Sequence, residues 1–219
     1  AHGVTKIALE MHPGFCVYNP ETLLKLRAAV GDVIGANFDP SHLIWQGIDP
    51  VAAIRVLEGA IYHVHAKDTK IDKYNTAKFG VLDTKHYGDE IHRSWIFRSV
   101  GYGNGLDYWR DMISNLRLVG YDKVMSIEHE DSLMTPDEGL AHAVEFLKES
   151  IIKDPKPTTM AGRKNRGTRS HTLPKGSGQS IFLRKTASPP PNLGGALTLG
   201  TRIAKTTFLR RKYYKNNKL

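Results

Sequence analysis

Four side chains able to hold a metal ion, Glu10, Asp39, His65 and Glu128, close four separate apolar runs in the segments ALEMH, GANFDPSH, YHVHAKD and MSIEHED. Each run sets β-branched and apolar residues ahead of a turn signal, the pattern of a short buried strand. Polar residues gathered only where strands end describe a mouth. Three carboxylates and one imidazole make a hard to borderline donor set, suited first to Mn²⁺ or Mg²⁺ and tolerant of Co²⁺ or Zn²⁺. A cation there would grip adjacent carbonyl and hydroxyl oxygens of a sugar and acidify the neighbouring C–H. Proton transfer then needs a base, for which Glu10, Glu128, His42 and Lys67 are candidates.

The elements that position these residues alternate regularly. A strand over residues 6–12 precedes a helix that starts at Asn19 and runs through PETLLKLRAAV, with proline in its first turn. A strand over 33–39, a helix from Asp49-Pro50 to Gly59 and the strand IYHVHA complete a βαβαβ unit. A long polar loop from Thr69 to about Asn104 leads to the helix GLDYWRDMISNLRLVG, the strand KVMSIEH and a helix from Pro136 through GLAHAVEFLKESI. Alternation with crossover helices requires parallel strands, so the fold class is α/β. Ligands of such sheets bind at the carboxyl ends of the strands, in open sheets and closed barrels alike.

Strand periodicity puts Glu10 with His12, Asn37 with Asp39, His63 with His65 and Lys67, and Ser126 with Glu128 and Glu130 on shared faces. His12 and His63 are then substrate contacts or packed supports beside the ligands. Lys67, an inward cation at a strand end, is a candidate to stabilise an enolate or serve as a base, with a salt bridge to Glu128 or Glu130 as the alternative. Arg98 is a candidate for binding substrate oxygens, and Trp45 for stacking on a sugar or for core packing. His86, His92 and His129 read as surface or loop residues. The VGYGNG segment lacks the spacing and the preceding strand of a nucleotide fingerprint.

Taken in order, ALEMHPG, NFDPSHLIWQGIDP, HVHAKDTKID and SIEHED resemble the carboxyl-terminal half of the xylose isomerase-like barrel superfamily, the sugar phosphate isomerase/epimerase family, over roughly residues 4–152. The resemblance implies four βα units of a (β/α)8 TIM barrel, with a divalent metal held by Glu10, Asp39, His65 and Glu128. It matches His42 to a histidine that contacts substrate. It implies a metal-dependent isomerase or epimerase working through an enediol or enolate, or a lyase or dehydratase on a keto-sugar or inosose at the same site. Sugar epimerases of the group carry a Glu six residues after the first ligand, where this chain has Cys16. Endonucleases acting at apurinic sites share the barrel but use three zinc ions and an Asp-x-His spacing, whereas Asp89 and His92 stand three residues apart. A full barrel takes about 250 residues. About 150 residues with four βα units therefore suggest a partner half-barrel, a homodimer, or an inactive fragment.

The net charge of +9 conceals two regions of opposite sign. Residues 1–150 hold 15 Lys and Arg against 21 Asp and Glu, while the rest holds 16 against the single acid Asp154. The domain is expected to end near residue 154, followed over 155–219 by a basic, low-order tail touching nucleic acid only non-specifically. No apolar run approaches the roughly 18 residues of a membrane span, and no secretory signal opens the chain. A single cysteine excludes an internal disulfide and fits a cytoplasmic setting. The expected partner is a small carbohydrate.

Overall fold

The computed structural model describes residues 3–154 and the strand Ile181–Arg184. In chain order the elements are β1 (Ile7–Glu10), α1 (Pro20–Val30), β2 (Ile34–Phe38), α2 (Pro40–Ile44), α3 (Pro50–Val56) and β3 (Ile61–Ala66). They continue with β4 (Asp68–Ile71), α4 (Lys73–Phe79), β5 (Trp95–Arg98), α5 (Leu106–Leu118), β6 (Met125–Glu128), α6 (Pro136–Ser150) and β7 (Ile181–Arg184). Strands β1, β2, β3, β6 and β7 pair in that order, every pair parallel. β4 and β5 form a separate antiparallel pair.

Local chemistry sets the helix starts. Asn19 accepts from the Thr22 amide at 2.8 Å while the Thr22 hydroxyl accepts from the Asn19 amide at 3.1 Å, and Pro20 fills the first turn of α1. The Asp49 and Thr135 side chains accept from first-turn amides of α3 and α6 without the reciprocal bond, each followed by proline. Leu23 of α1, Ile54 of α3, Trp109, Ile113 and Leu116 of α5, and Leu147 of α6 share one core with Ala36, Phe38, Val64, Met125 and Ile127 of the sheet. Helices thus cover one face of the sheet, and burying each large apolar side chain contributes about 1.5–3 kcal/mol. The other face is left to polar residues. This single winding is that of a barrel wall, with helices outside and the site inside, and not of an open sheet with helices on both faces.

A bulge between Ala36 and Asn37 sets Ile61 opposite Ala36 and His63 opposite Asn37, leaving Tyr62 as the extra residue. Ile61 can therefore join the outer core while His63 and His65 face inward. Tyr62 folds against Gly35, where an added Cβ would lie 2.4 Å from its ring and 2.6 Å from the Ala60 carbonyl. The Tyr62 hydroxyl donates to the Asp32 carbonyl and accepts from Arg27 at 2.8 Å.

One sequence expectation is corrected, and one observation bears on another. The stretch from Thr69 to Asn104 is no plain loop, since it holds β4, α4 and β5, whose strands are only four residues long. One strand, β7, lies within the stretch read as a tail of low order; the remainder of 155–219 lies outside the described residues. Among the described residues no helix is long and apolar enough to cross a membrane.

Candidate metal centre

Glu10 ends β1, Asp39 follows β2, His65 sits near the end of β3 and Glu128 ends β6. Parallel pairing brings these four ends together, and one ligand atom from each lies within 4.8 Å of the others. His65 Nδ1 is 2.7 Å from Glu128 Oε2, 3.2 Å from Glu10 Oε1 and 3.6 Å from Asp39 Oδ2. One ring N–H cannot point at three oxygens. The aligned bond goes to Glu10, so Asp39 Oδ2 and Glu128 Oε2 are buried with no aligned donor among the described residues. A polar atom buried without a partner costs roughly 1–3 kcal/mol. A divalent cation would satisfy these oxygens, so the residues fit the metal that the donor chemistry suggests.

The protonation states reflect the crowded negative charge. Burial raises Glu10 above the ordinary carboxylate range, with Asp39 and Glu128 adding to the rise. Burial also pushes Asp39 upward, but His65, Lys67 and His42 outweigh it and hold the carboxyl well below its usual range. In Glu128 burial is likewise outweighed, by His65 and Lys67, and the value falls. The His65 imidazole, which burial alone would depress, is lifted to about 11 by Asp39, Glu10 and Glu128. A proton there does part of the neutralising that a cation would do.

Around the ligands, His42 lies with Nε2 3.8 Å from both Glu10 Oε1 and Asp39 Oδ2, and burial depresses it to about 4, leaving it neutral. Lys67 is buried, with Nζ 2.6 Å from Glu130 Oε2 and 4.1 Å from the Phe97 ring centroid. Burial would lower its pKa, but Asp39, Glu128 and Glu130 raise it, so Lys67 stays an ammonium. The salt bridge to Glu130 is formed, and a general-base role for Lys67 is set aside. His12 packs its ring 4.3 Å from that of His42, and His63 Nε2 lies 2.9 Å from the Ser126 hydroxyl.

Other candidates are drawn into the protein. Arg98 lies on β5, not in a loop, and its Nε donates to Asp131 at 3.0 Å. Trp45 is 8% exposed and stacks on Trp95 at 4.5 Å, so the core role is the one realised. His129 is buried beside Gly139 and not on the surface; an added Cβ there would fall 2.3 Å from its ring. Exposed His92 lies 2.6 Å from Asp89, and neither belongs to the four-ligand cluster. Sequence reasoning missed Phe97, which packs against both His42 and Lys67, and Asp68, a buried carboxylate beside Lys67. Asp68 follows an apolar run as the ligands do, which is the signal that was available.

The family described as the xylose isomerase-like TIM barrel matches residues 1–150. The chain belongs to this family. The uncharacterized protein YfiH of Bacillus subtilis is 47% identical over 151 residues, covering 69% of this chain and 48% of that protein. The rhizopine catabolism protein MocC of Rhizobium meliloti is 30% identical over 142 residues, covering 65% of this chain and 40% of that protein. The chain thus spans less than half the length of these curated relatives. A crystal structure of a xylose isomerase domain protein from Planctomyces limnophilus aligns with a TM-score of 0.48 at 22% identity, covering 66% of this chain and 46% of that one. In this xylose isomerase-like chain the acidic cluster stands at the carboxyl ends of the sheet strands, the usual place for barrel active sites.

Proposed function

We propose that this chain carries the metal site of a divalent-metal-dependent carbohydrate isomerase or epimerase. The observation that supports it is the convergence of Glu10, Asp39, His65 and Glu128 on one point, with two buried carboxylate oxygens left over. Those four residues would hold Mn²⁺ or Mg²⁺, and the bound cation supplies Lewis-acid polarisation of a substrate carbonyl. The C–H proton next to that carbonyl passes to a carboxylate, Glu10 or Glu128. Its electron pair forms a C=C bond while the carbonyl pair moves onto oxygen, giving an enediol or enolate. Return of the proton to the neighbouring carbon, with the hydroxyl proton passing to the former carbonyl oxygen, gives an isomer, and delivery of a proton to the same carbon from the opposite face by the other carboxylate gives an epimer. The Lys67 ammonium, fixed by Glu130, opposes the negative charge that develops on oxygen. Neutral His42 can exchange hydrogen bonds with a substrate hydroxyl.

A lyase is the second reading, favoured by two features. Cys16 is exposed where sugar epimerases carry another carboxylate, and Lys67 is an ammonium able to give its proton to a departing hydroxyl. The same enolate then expels that β-hydroxyl as water and leaves an unsaturated product. Similarity to a rhizopine catabolism protein is compatible with either outcome. Incubation of the manganese-loaded chain with a panel of keto-sugars in D2O tests both. Deuterium beside the carbonyl without loss of water supports isomerisation, and an unsaturated product supports elimination. No exchange with any keto-sugar contradicts both.

A further inference from the structure

Five ring contacts join six side chains into a continuous wall along the metal centre. Trp45 and Trp95 meet at 4.5 Å, Trp95 and Phe97 at 5.2 Å, Phe97 and His42 at 5.4 Å, His42 and His12 at 4.3 Å, and His12 and Phe15 at 4.8 Å. Trp45, Trp95, Phe97 and His42 are buried and His12 is half-buried, whereas Phe15 at the outer end is 65% exposed. His42 carries the wall past the ligands, 3.8 Å from both Glu10 and Asp39.

The sequence His12-Pro13-Gly14-Phe15 builds the outer end. Proline followed by glycine at φ +89° is the signature of a type II turn, and the Phe15 amide donates to the His12 carbonyl at 3.1 Å to close it. The turn folds Phe15 back so that its ring lies 32° from the plane of His12. An apolar ring held over an imidazole and open to solvent has one face without apolar cover. Sugars and cyclic polyols carry hydroxyls at their edges and C–H groups on their faces, and such faces match an aromatic plate.

We propose that Phe15 and His12 form a stacking platform that selects a ring-shaped polyol or sugar, whose oxygens reach the four-ligand cluster. This rests on the carbohydrate reading of the site. A ring lays several C–H groups on the plate at once; an open chain must first be ordered to do so and gains less. Phe15 is thereby a specificity-determining residue.

Calorimetry on the manganese-loaded full chain, with myo-inositol and xylitol as unreactive probes, tests the platform. Phe15→Ala is expected to weaken myo-inositol binding about fivefold and xylitol binding less, while Phe15→Trp restores the parent affinity. Manganese affinity should be the same in all three proteins, which also reports that the variants fold. Unchanged myo-inositol binding in Phe15→Ala, or equal weakening of both probes, overturns the platform and leaves the carbohydrate reading standing. A parent chain that binds manganese but neither polyol overturns that reading, and the platform with it.

Discussion

Asp39 and Asp68 are both fully buried carboxylates just beyond strand ends, yet their surroundings are opposite. Asp68 accepts from the amides of Thr69, Gly101, Gly103 and Asn104 at 2.8–3.2 Å, from Asn104 Nδ2 at 2.7 Å and from Trp109 Nε1 at 3.1 Å. Both of its oxygens are in use. Asp39 spends Oδ1 on the Ser41 amide at 2.8 Å, capping α2, and leaves Oδ2 facing His65 beside two more carboxylates. A buried charge surrounded by donors holds the fold together, here by tying the 101–104 turn to β4. A buried charge that shares one histidine with two other carboxylates, and keeps an acceptor to spare, leaves a cost that a bound cation relieves. Satisfaction of its oxygens, not burial, separates the structural acid from the candidate ligand.

Substitutions can break or sharpen this contrast. The largest effect is expected from Asp39→Asn, which should lower turnover by about a thousandfold and manganese affinity by about 10–100-fold. Its stability should fall by less than that of Asp68→Asn, because relief of the crowding with Glu10 and Glu128 partly offsets loss of the charge that His65 and Lys67 favour; urea unfolding beside steady-state kinetics checks both. Asp68→Asn should lose more, about 2–4 kcal/mol of stability as six donors lose a charged acceptor, with manganese affinity little changed. Equal stability losses in the two variants would erase the distinction. Lys67→Met should cut turnover by about a hundredfold while manganese binding holds or tightens, since Lys67 pairs with Glu130 and its charge opposes a cation at the cluster; single-turnover rates beside metal titration separate these.

The smallest effect concerns Asp131, a second satisfied acid. Burial pushes its pKa up, but the Ser99 and Leu133 amides and the Arg98 guanidinium outweigh that and hold it below the usual range. Its folded value is lower than its unfolded value of about 3.9, so its contribution is present above that pH and is lost as pH falls through the depressed value. Asp131→Asn should therefore cost about 1–2 kcal/mol near neutrality, with the gap to the parent closing below pH about 4 in denaturant titrations.

The ligand cluster was legible in the sequence because parallel strands carry their polar residues to one end, and four apolar runs ending in Glu10, Asp39, His65 and Glu128 announce that end. The excursion from 69 to 104 was not legible. Its two strands are short, and its anchor is the bond between Asp68 and a turn more than 30 residues later, which no local pattern reveals. His129 sits among Glu128, Glu130 and Asp131 and so reads as surface; packing against Gly139 buries it. Which face Trp45 would offer depended on Trp95, fifty residues away and inside that excursion.

Four strand ends converge on one candidate cation site. Manganese titration of the metal-free chain, followed by electron paramagnetic resonance, tests it most directly. One Mn²⁺ should bind per chain, with affinity reduced by about 10–100-fold in Asp39→Asn and in Glu128→Gln and unaltered in Asp68→Asn. Manganese binding that survives undiminished in the first two variants, or no binding by the parent, would contradict it.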